Sequence, residues 1–221
     1  AVIIQARLSS ERVSRKMVRP FAGTTLVDIC IDKILKSEII PKQNFYMSIH
    51  EKQLIDIASK YSVNIFRRSK KSAESEGTPM TEMFEWHNKL PFKYAVMINA
   101  CCPMLKVETI DNFILEYVHS SHDGLFGVIE KKNYFWDEDG NLITKWPPGQ
   151  DVMNTKMVGT TYEGAHCLYA GKMSDIPKGI WMGKAPFTRG DPGLFAVHEE
   201  ETFDIDYEWQ FRVAEKIYMF R

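Results

Sequence analysis

Along the first hundred residues, apolar positions switch between two spacings. Residues 1–6, 44–49, 63–66 and 94–99 are short runs rich in apolar and β-branched side chains, as in strands buried on both faces. Between them, residues 25–36 place Leu26, Ile29, Cys30, Ile34 and Leu35 at helical spacing. Residues 51–61 do the same with Leu54, Ile55 and Ala58, and a further helix is predicted over 80–89. A helix at 107–118 and a strand at 125–129 continue the alternation. Strands alternating with helices at this interval predict parallel βαβ units in a doubly wound α/β sheet. Such sheets bind ligands beyond the carboxyl ends of their strands, here the loops starting near Arg7, Arg67 and Asn99.

The pattern breaks after Ile129. Residues 134–136 and 141–146, joined by Asp137-Glu-Asp-Gly140, predict a β-hairpin that Trp146-Pro-Pro-Gly149 ends. Residues 150–162 are polar without a clear period; a strand at 166–170 and a helix at 207–218 follow. The chain contains no repeat, low-complexity tract or long linker, so residues 1–221 are expected to form a single domain, with 130–165 an inserted arm.

With 44% hydrophobic and 26% charged residues, the 221-residue chain has the composition of a soluble globular protein. A formal charge of −1 leaves no global basic field to recruit nucleic acid or an anionic membrane, so an anionic ligand needs a local cluster. No apolar run approaches the ~20 residues of a membrane span, and the apolar start before Gln5 is too short for a signal-peptide core. Cys30, Cys101, Cys102 and Cys167 form neither a disulfide framework nor a zinc spacing, and the histidines show no metal-ligand pattern. A reducing cytoplasm is the expected compartment.

Three segments carry candidate chemistry. The first runs out of the first strand, Ala6-Arg-Leu-Ser-Ser-Glu-Arg-Val-Ser-Arg-Lys16, and offers Arg7, Ser9, Ser10, Arg12, Ser14, Arg15 and Lys16. Small hydroxyl residues with guanidinium and ammonium groups at a strand's carboxyl end suit a triphosphate; a solvated basic loop is the plain alternative. Without glycine it is neither a Walker loop nor a dinucleotide fingerprint. The second is Thr202-Phe-Asp-Ile-Asp-Tyr-Glu208. Asp204 and Asp206, two apart in extended chain, face one side and suit Mg²⁺, although Asp206 could equally be a helix N-cap. The third is Ile98-Asn-Ala-Cys-Cys-Pro-Met104, where Asn99 and Cys101 line a nucleotide pocket or merely end a packed strand. Neither thiol has an evident histidine partner for nucleophilic work. Of the histidines, His166 alone lies on a segment expected to line the site.

Taken in order, these segments resemble the acylneuraminate cytidylyltransferases (CMP-sialic acid synthetases) and relatives acting on other 2-keto-3-deoxy sugar acids. IIQARLSSERVSRKMVRPFAG (3–23) is similar to that family's N-terminal Ala-Arg loop, and NACCPML (99–105) to its Gln-Pro-Thr-Ser-Pro-type segment. Glu163-Gly-Ala165 matches an Asn-Gly-Ala segment, and FDIDYEWQFRVAEKI (203–217) the Ile-Asp-Ile-Asp ending with its helix. The resemblance implies a Rossmann-like, mostly parallel sheet of the nucleotide-diphospho-sugar transferase type with an inserted dimerisation hairpin. It implies CTP as nucleotide, held by Arg7, Ser9, Ser10, Arg12, Lys16, Asn99 and Cys101, and Mg²⁺ (or Mn²⁺) on Asp204 and Asp206. Asn99, Glu163, Gly164 and His166 would meet the sugar acid, Arg7, Lys16 and Asp206 would carry catalysis, and the chain would be a homodimer.

The sequence also departs from the family. Glu11 stands where sialic acid enzymes often have Lys, Cys101–Cys102 replace Thr-Ser, and Ser48-Ile49-His50 replaces Ser-Thr-Asp. These changes leave the choice of sugar open. Two alternatives share the features: a metal-dependent nucleotide-sugar glycosyltransferase, whose DxD usually lies mid-chain, and a non-catalytic nucleotide-sugar-binding relative.

Overall fold

The computed structural model describes residues 1–74, 78–181 and 192–220. Its strands are β1 (Val2–Gln5), β2 (Phe45–Ile49), β3 (Asn64–Arg67), β4 (Tyr94–Ile98), β5 (Gly124–Lys131), β6 (Thr161–Lys172) and β7 (Gly193–Ala196). They form one sheet in the order β3-β2-β1-β4-β6-β5-β7. Only β6 runs antiparallel to its neighbours, β4 and β5. The mostly parallel α/β sheet expected from the alternation is therefore present, as a mixed seven-stranded sheet. Its helices are α1 (Leu26–Lys36), α2 (Lys52–Lys60), α3 (Met80–Met83), α4 (Val107–His119) and α5 (Glu208–Met219).

The apolar run of β1 is explained by burial on both faces. Val2 and Ile4 enter the larger core with α1, α4 and α5, including Leu26, Phe113 and Phe211. Ile3 points the other way, into a smaller cluster with Trp86, Met173, Ile176 and Trp181. Helix α1 starts where Thr25 accepts from Asp28 N at 3.2 Å, an ordinary N-cap.

Three sequence expectations change. The helix expected over 80–89 is one α-turn, α3, followed by a 3₁₀ stretch at Glu85–Asn88. Phe84, at φ −109° and ψ 44°, breaks it, and Trp86 packs into the smaller core. Of residues 130–165, the first two lie in β5 and the last five in β6. Between them the hairpin is a single bridge, Trp136 to Leu142, closed by Asp137 N to Asn141 O at 2.9 Å. Strand β7 had no expected counterpart; its four residues carry no period long enough to recognise.

Helix α4 borrows its cap from distant chain. Glu201, 1% exposed, accepts from Thr109 Oγ1 at 2.6 Å and from Lys106 N at 3.0 Å, and pairs with Lys106 Nζ at 3.2 Å. Burial opposes its ionisation, but these donors together outweigh burial and hold its pKa below the usual glutamate value. Glu201→Ala is expected to cost about 2 kcal/mol by orphaning a cap donor and a hydroxyl. Because the folded pKa is depressed, the loss should be full above the ordinary glutamate pKa and fade as pH falls through the carboxylate range. Urea denaturation of both proteins across pH checks this; a pH-independent difference would leave the carboxylate charge without a role.

Candidate active site

The sheet reverses its direction of winding between β1 and β4, which are hydrogen-bonded neighbours. Chains leaving these two strands diverge, and a crevice opens there. Gln5, Ala6, Arg7, Ser10, Glu11, Arg12, Lys16 and Met17 line one side of a cavity of about 580 Å³; Ala100, Cys101 and Asp206 line the other.

The end of the chain reaches this crevice because the N-terminal loop grips α5. Arg19 binds Glu208 through both guanidinium nitrogens, at 2.8 and 2.5 Å, and stacks on Phe211 at 4.3 Å. Ile205 N donates to Cys101 O at 3.1 Å. Held this way, Arg12 Nη2 lies 2.9 Å from Asp206 Oδ1 and Lys16 Nζ lies 3.6 Å from the same oxygen. Lys16 Nζ also donates to Ile205 O at 2.5 Å.

Asp206 is not the helix cap. Helix α5 begins at Glu208 with Tyr207 at the N-cap position, and Gln210 Oε1 accepts from Asp206 N (2.7 Å) and Tyr207 N (2.8 Å). The Asp206 carboxylate is thereby left to Arg12, Lys16 and the cavity.

Asp204 sits deeper. Asn99 Nδ2 donates to its Oδ2 at 3.3 Å, while Oδ1 is buried with no hydrogen-bond partner. Burial first, then the charge of Asp206, raises its pKa above the aspartate norm; Lys16 and the Asn99 hydrogen bond oppose that rise. Asn99 itself is used up by the protein, giving Nδ2 also to His166 O (2.9 Å) and taking Cys101 N on Oδ1 (2.9 Å). Its geometry makes it a positioner of Asp204. The thiols are inert: burial pushes Cys101 up to about 11 and holds Cys102 well above the ordinary thiol value, so neither is a thiolate nucleophile at neutral pH.

The structure thus brings Arg7, Ser10, Arg12, Lys16, Cys101 and Asp206 to one cavity; Asn99 and Asp204, bonded to each other, are outside its lining. Ser9 faces a neighbouring hollow with His50, Glu51, Lys70 and Glu74 instead. Glu163 stands on β6, 3.6 Å from Lys131, outside the cavity lining. Gly164 lies under the His166 ring: a Cβ there would meet Phe126 Cε1 at 3.1 Å and His166 Nε2 at 3.3 Å.

Sequence reasoning missed a second cavity of about 500 Å³ that shares Gln5 and Arg7 with the first. Met80, Met83, Phe84, Met97, Tyr169 and Trp181 make its apolar wall. Arg68, 4% exposed, also lines it. Arg68 spends Nη2 on Ala6 O (2.6 Å) and Nη1 on Ser72 O (3.2 Å), yet its Nε has no partner among the described residues, nor does Trp181 Nε1. Burial lowers the Arg68 pKa to about 10, so it remains a cation.

A crevice at a sheet's switch point, lined by arginine and lysine side chains with a carboxylate opposite, is where an α/β sheet of this kind binds its ligand. A model of the cytidylyltransferase family matches residues 1–157, and the chain belongs to that family. It is a nucleotidyltransferase rather than a glycosyltransferase. Solved structures share its fold across nearly their whole length. CMP:2-keto-3-deoxy-manno-octonic acid synthetase complexed with CTP is 9% identical with a TM-score of 0.68, covering 98% of this chain and 97% of that one. The 4-diphosphocytidyl-2C-methyl-D-erythritol synthase of Anaerococcus prevotii is 16% identical, TM-score 0.66, with 100% and 97% coverage. A cytidylyltransferase from Leptospira borgpetersenii serovar Hardjo-bovis is 15% identical, TM-score 0.62, with 100% and 86% coverage.

Proposed function

We propose that this cytidylyltransferase transfers CMP from CTP to the anomeric hydroxyl of a sialic-acid-like 2-keto-3-deoxy sugar acid, releasing pyrophosphate. The observation that carries this reading is the meeting of Arg7, Arg12 and Lys16 with Asp206 in one crevice, two residues along the chain from Asp204. The triphosphate lies along the N-terminal loop, where Lys16 and Arg12 neutralise the pyrophosphate as it leaves. To do so they turn from Asp206 to the phosphates, which frees that carboxylate. The pyrimidine enters the second cavity. Its ring packs on methionine and aromatic side chains, and a carbonyl acceptor meets the unpartnered Arg68 Nε.

Mg²⁺, with Mn²⁺ as substitute, fits Asp204 and Asp206. Asp204 Oδ1 is a buried oxygen lacking a partner, and both donors are the hard oxygens this ion takes. No cluster of three or more His, Cys, Asp or Glu side chains able to hold a metal occurs among the described residues. Mg²⁺ is compatible with that, being usually held by one or two carboxylates plus phosphates and water. When bound, it supplies positive charge to the triphosphate and Lewis-acid polarisation.

The test is pyrophosphate release from CTP and Mg²⁺ with a panel containing N-acetylneuraminic acid and 2-keto-3-deoxy-manno-octonic acid. Release with one acid, and with CTP far above ATP or GTP, is expected. No acid-dependent release would sink the reading.

The arm supports a homodimer. Trp136, Ile143, Trp146, Val152 and Met153 are exposed on it, an apolar set that a second subunit would cover. Light scattering at micromolar concentration should give twice the 25.6 kDa chain mass, and Trp136→Glu should shift it toward one. A monomeric wild type rejects the dimer. A cytoplasmic location agrees with four unpaired cysteines and with the lack, among the described residues, of a helix long and apolar enough to cross a membrane.

A further inference from the structure

Gln5 is the last residue of β1, one of the two strands between which the winding of the sheet reverses. Alternation along the strand puts its side chain on the face of Ile3, toward the smaller core and Trp86. Trp86 is fully buried, and an indole nitrogen can only donate. Its Nε1–H goes to Gln5 Oε1 at 3.2 Å, and Ser48 Oγ donates to the same oxygen at 3.5 Å. These donors fix the orientation of the amide. Turning it over would set Nε2 against the indole N–H and leave a buried donor unpaired.

The other end of the amide is thereby committed as well. Gln5 Nε2 carries two N–H groups and donates to no group among the described residues. Gln5 and Arg7 are also the two described residues that line both cavities. With the triphosphate in the first cavity and the pyrimidine in the second, the α-phosphate and ribose that join them pass these two side chains. A ribose hydroxyl can donate as well as accept. The oxygens of the α-phosphate only accept and carry negative charge, which suits a nitrogen that only donates beside a guanidinium.

We propose that Gln5 Nε2 donates to a non-bridging oxygen of the CTP α-phosphate, the group transferred. The assignment rests on the cytidylyltransfer reading above and on its placing of triphosphate and pyrimidine in the two cavities. Trp86 acts as a positioning residue, since it holds the amide in place before the nucleotide arrives. A donor fixed in advance costs no reorganisation as charge redistributes over the transferring phosphoryl group. No proton passes to or from the amide.

The test compares Gln5→Leu, Trp86→Phe and the double variant, with CTP, Mg²⁺ and the sugar acid that wild type accepts. Gln5→Leu alone orphans the buried indole N–H; the double variant removes both partners together and keeps an apolar core, so it should fold. In both, kcat should fall by about 10², the scale of one lost preorganised donor, with little change in KM for CTP. Trp86→Phe keeps a ring in the core and frees the amide to turn, so it should cost less, and the double variant should be no slower than Gln5→Leu. CTP with sulfur in place of one non-bridging α-oxygen reads the contact itself, because sulfur is a weak acceptor. With one diastereomer of that analogue, wild type and double variant should differ by less than about threefold, while the other diastereomer keeps the full difference. An equal loss with CTP and both diastereomers overturns the assignment and leaves Gln5 as the acceptor of Trp86 alone. A double variant that turns over CTP like wild type also overturns it. If wild type releases no pyrophosphate with any acid, the cytidylyltransfer reading fails and the contact with it; an active wild type with uniform losses removes the contact only.

Discussion

Lys16→Met should lower kcat/KM for CTP by about 10²–10³, the scale of losing one preorganised charge donor. The ammonium is 13% exposed, fixed by Ile205 O and 3.6 Å from Asp206 Oδ1, so its charge acts with little solvent screening. Arg12 is placed differently. Its side chain is 54% exposed and its guanidinium lies 5.2 Å from the centre of the Tyr207 ring, at the rim where water screens charge. Arg12→Ala should therefore cost less than Lys16→Met. Methionine keeps the length and apolar stem of lysine, so folding should survive. Pyrophosphate-release kinetics paired with thermal denaturation separate the effects, and unchanged kcat/KM in a folded Lys16→Met protein would take Lys16 out of the triphosphate site.

What the sequence made legible follows from the range of each interaction. Strands β1, β2 and β4 lie on both-face-buried runs, and α1 and α2 on a 3.6 period, so local pattern placed them within a residue or two. The α3 region failed because Met80, Met83, Phe84 and Trp86 fit a helical stripe but are packed by the second core and its cavity. Tertiary packing overrode period there. Asp206 showed the same limit: the N-cap position that sequence allowed it falls to Tyr207, and its backbone N–H is taken by Gln210, four residues on. The cation–carboxylate meeting of Arg12 with Asp206 joins residues 194 apart. No periodicity encodes such a contact, and resemblance to a family of similar order suggested it. Arg68 and Trp181 were invisible for the converse reason. What sets them apart is a nitrogen with no partner among the described residues, which shows only once the remaining partners are assigned.

Asp204→Asn and Asp206→Asn should each cost about 10²–10³ in turnover, by removing a charge that a hard cation and the transferring phosphate both need. Their stabilities should diverge. Asp206 is half-exposed and paired with Arg12 and Lys16, and it has no cap to lose, so Asp206→Asn should stay within about 1 kcal/mol of wild type. Asp204 is half-buried with its Oδ1 shut off from solvent, and that burial together with Asp206 holds its folded pKa above the unfolded value. Its ionised form is therefore a burden on the folded state: stability is highest below the unfolded pKa and is lost as pH rises through the folded one. The neutral amide of Asp204→Asn carries no such charge. In metal-free buffer at pH 7, that variant should thus unfold at a higher temperature than wild type, and the gap should close as pH falls through the carboxylate range. Raising Mg²⁺ with CTP present should narrow the gap from the other side, since a bound cation stabilises the wild-type carboxylate and not the amide. A variant that loses turnover while losing stability equally at every pH would make Asp204 a structural residue. The metal would then have to be sought away from this pair.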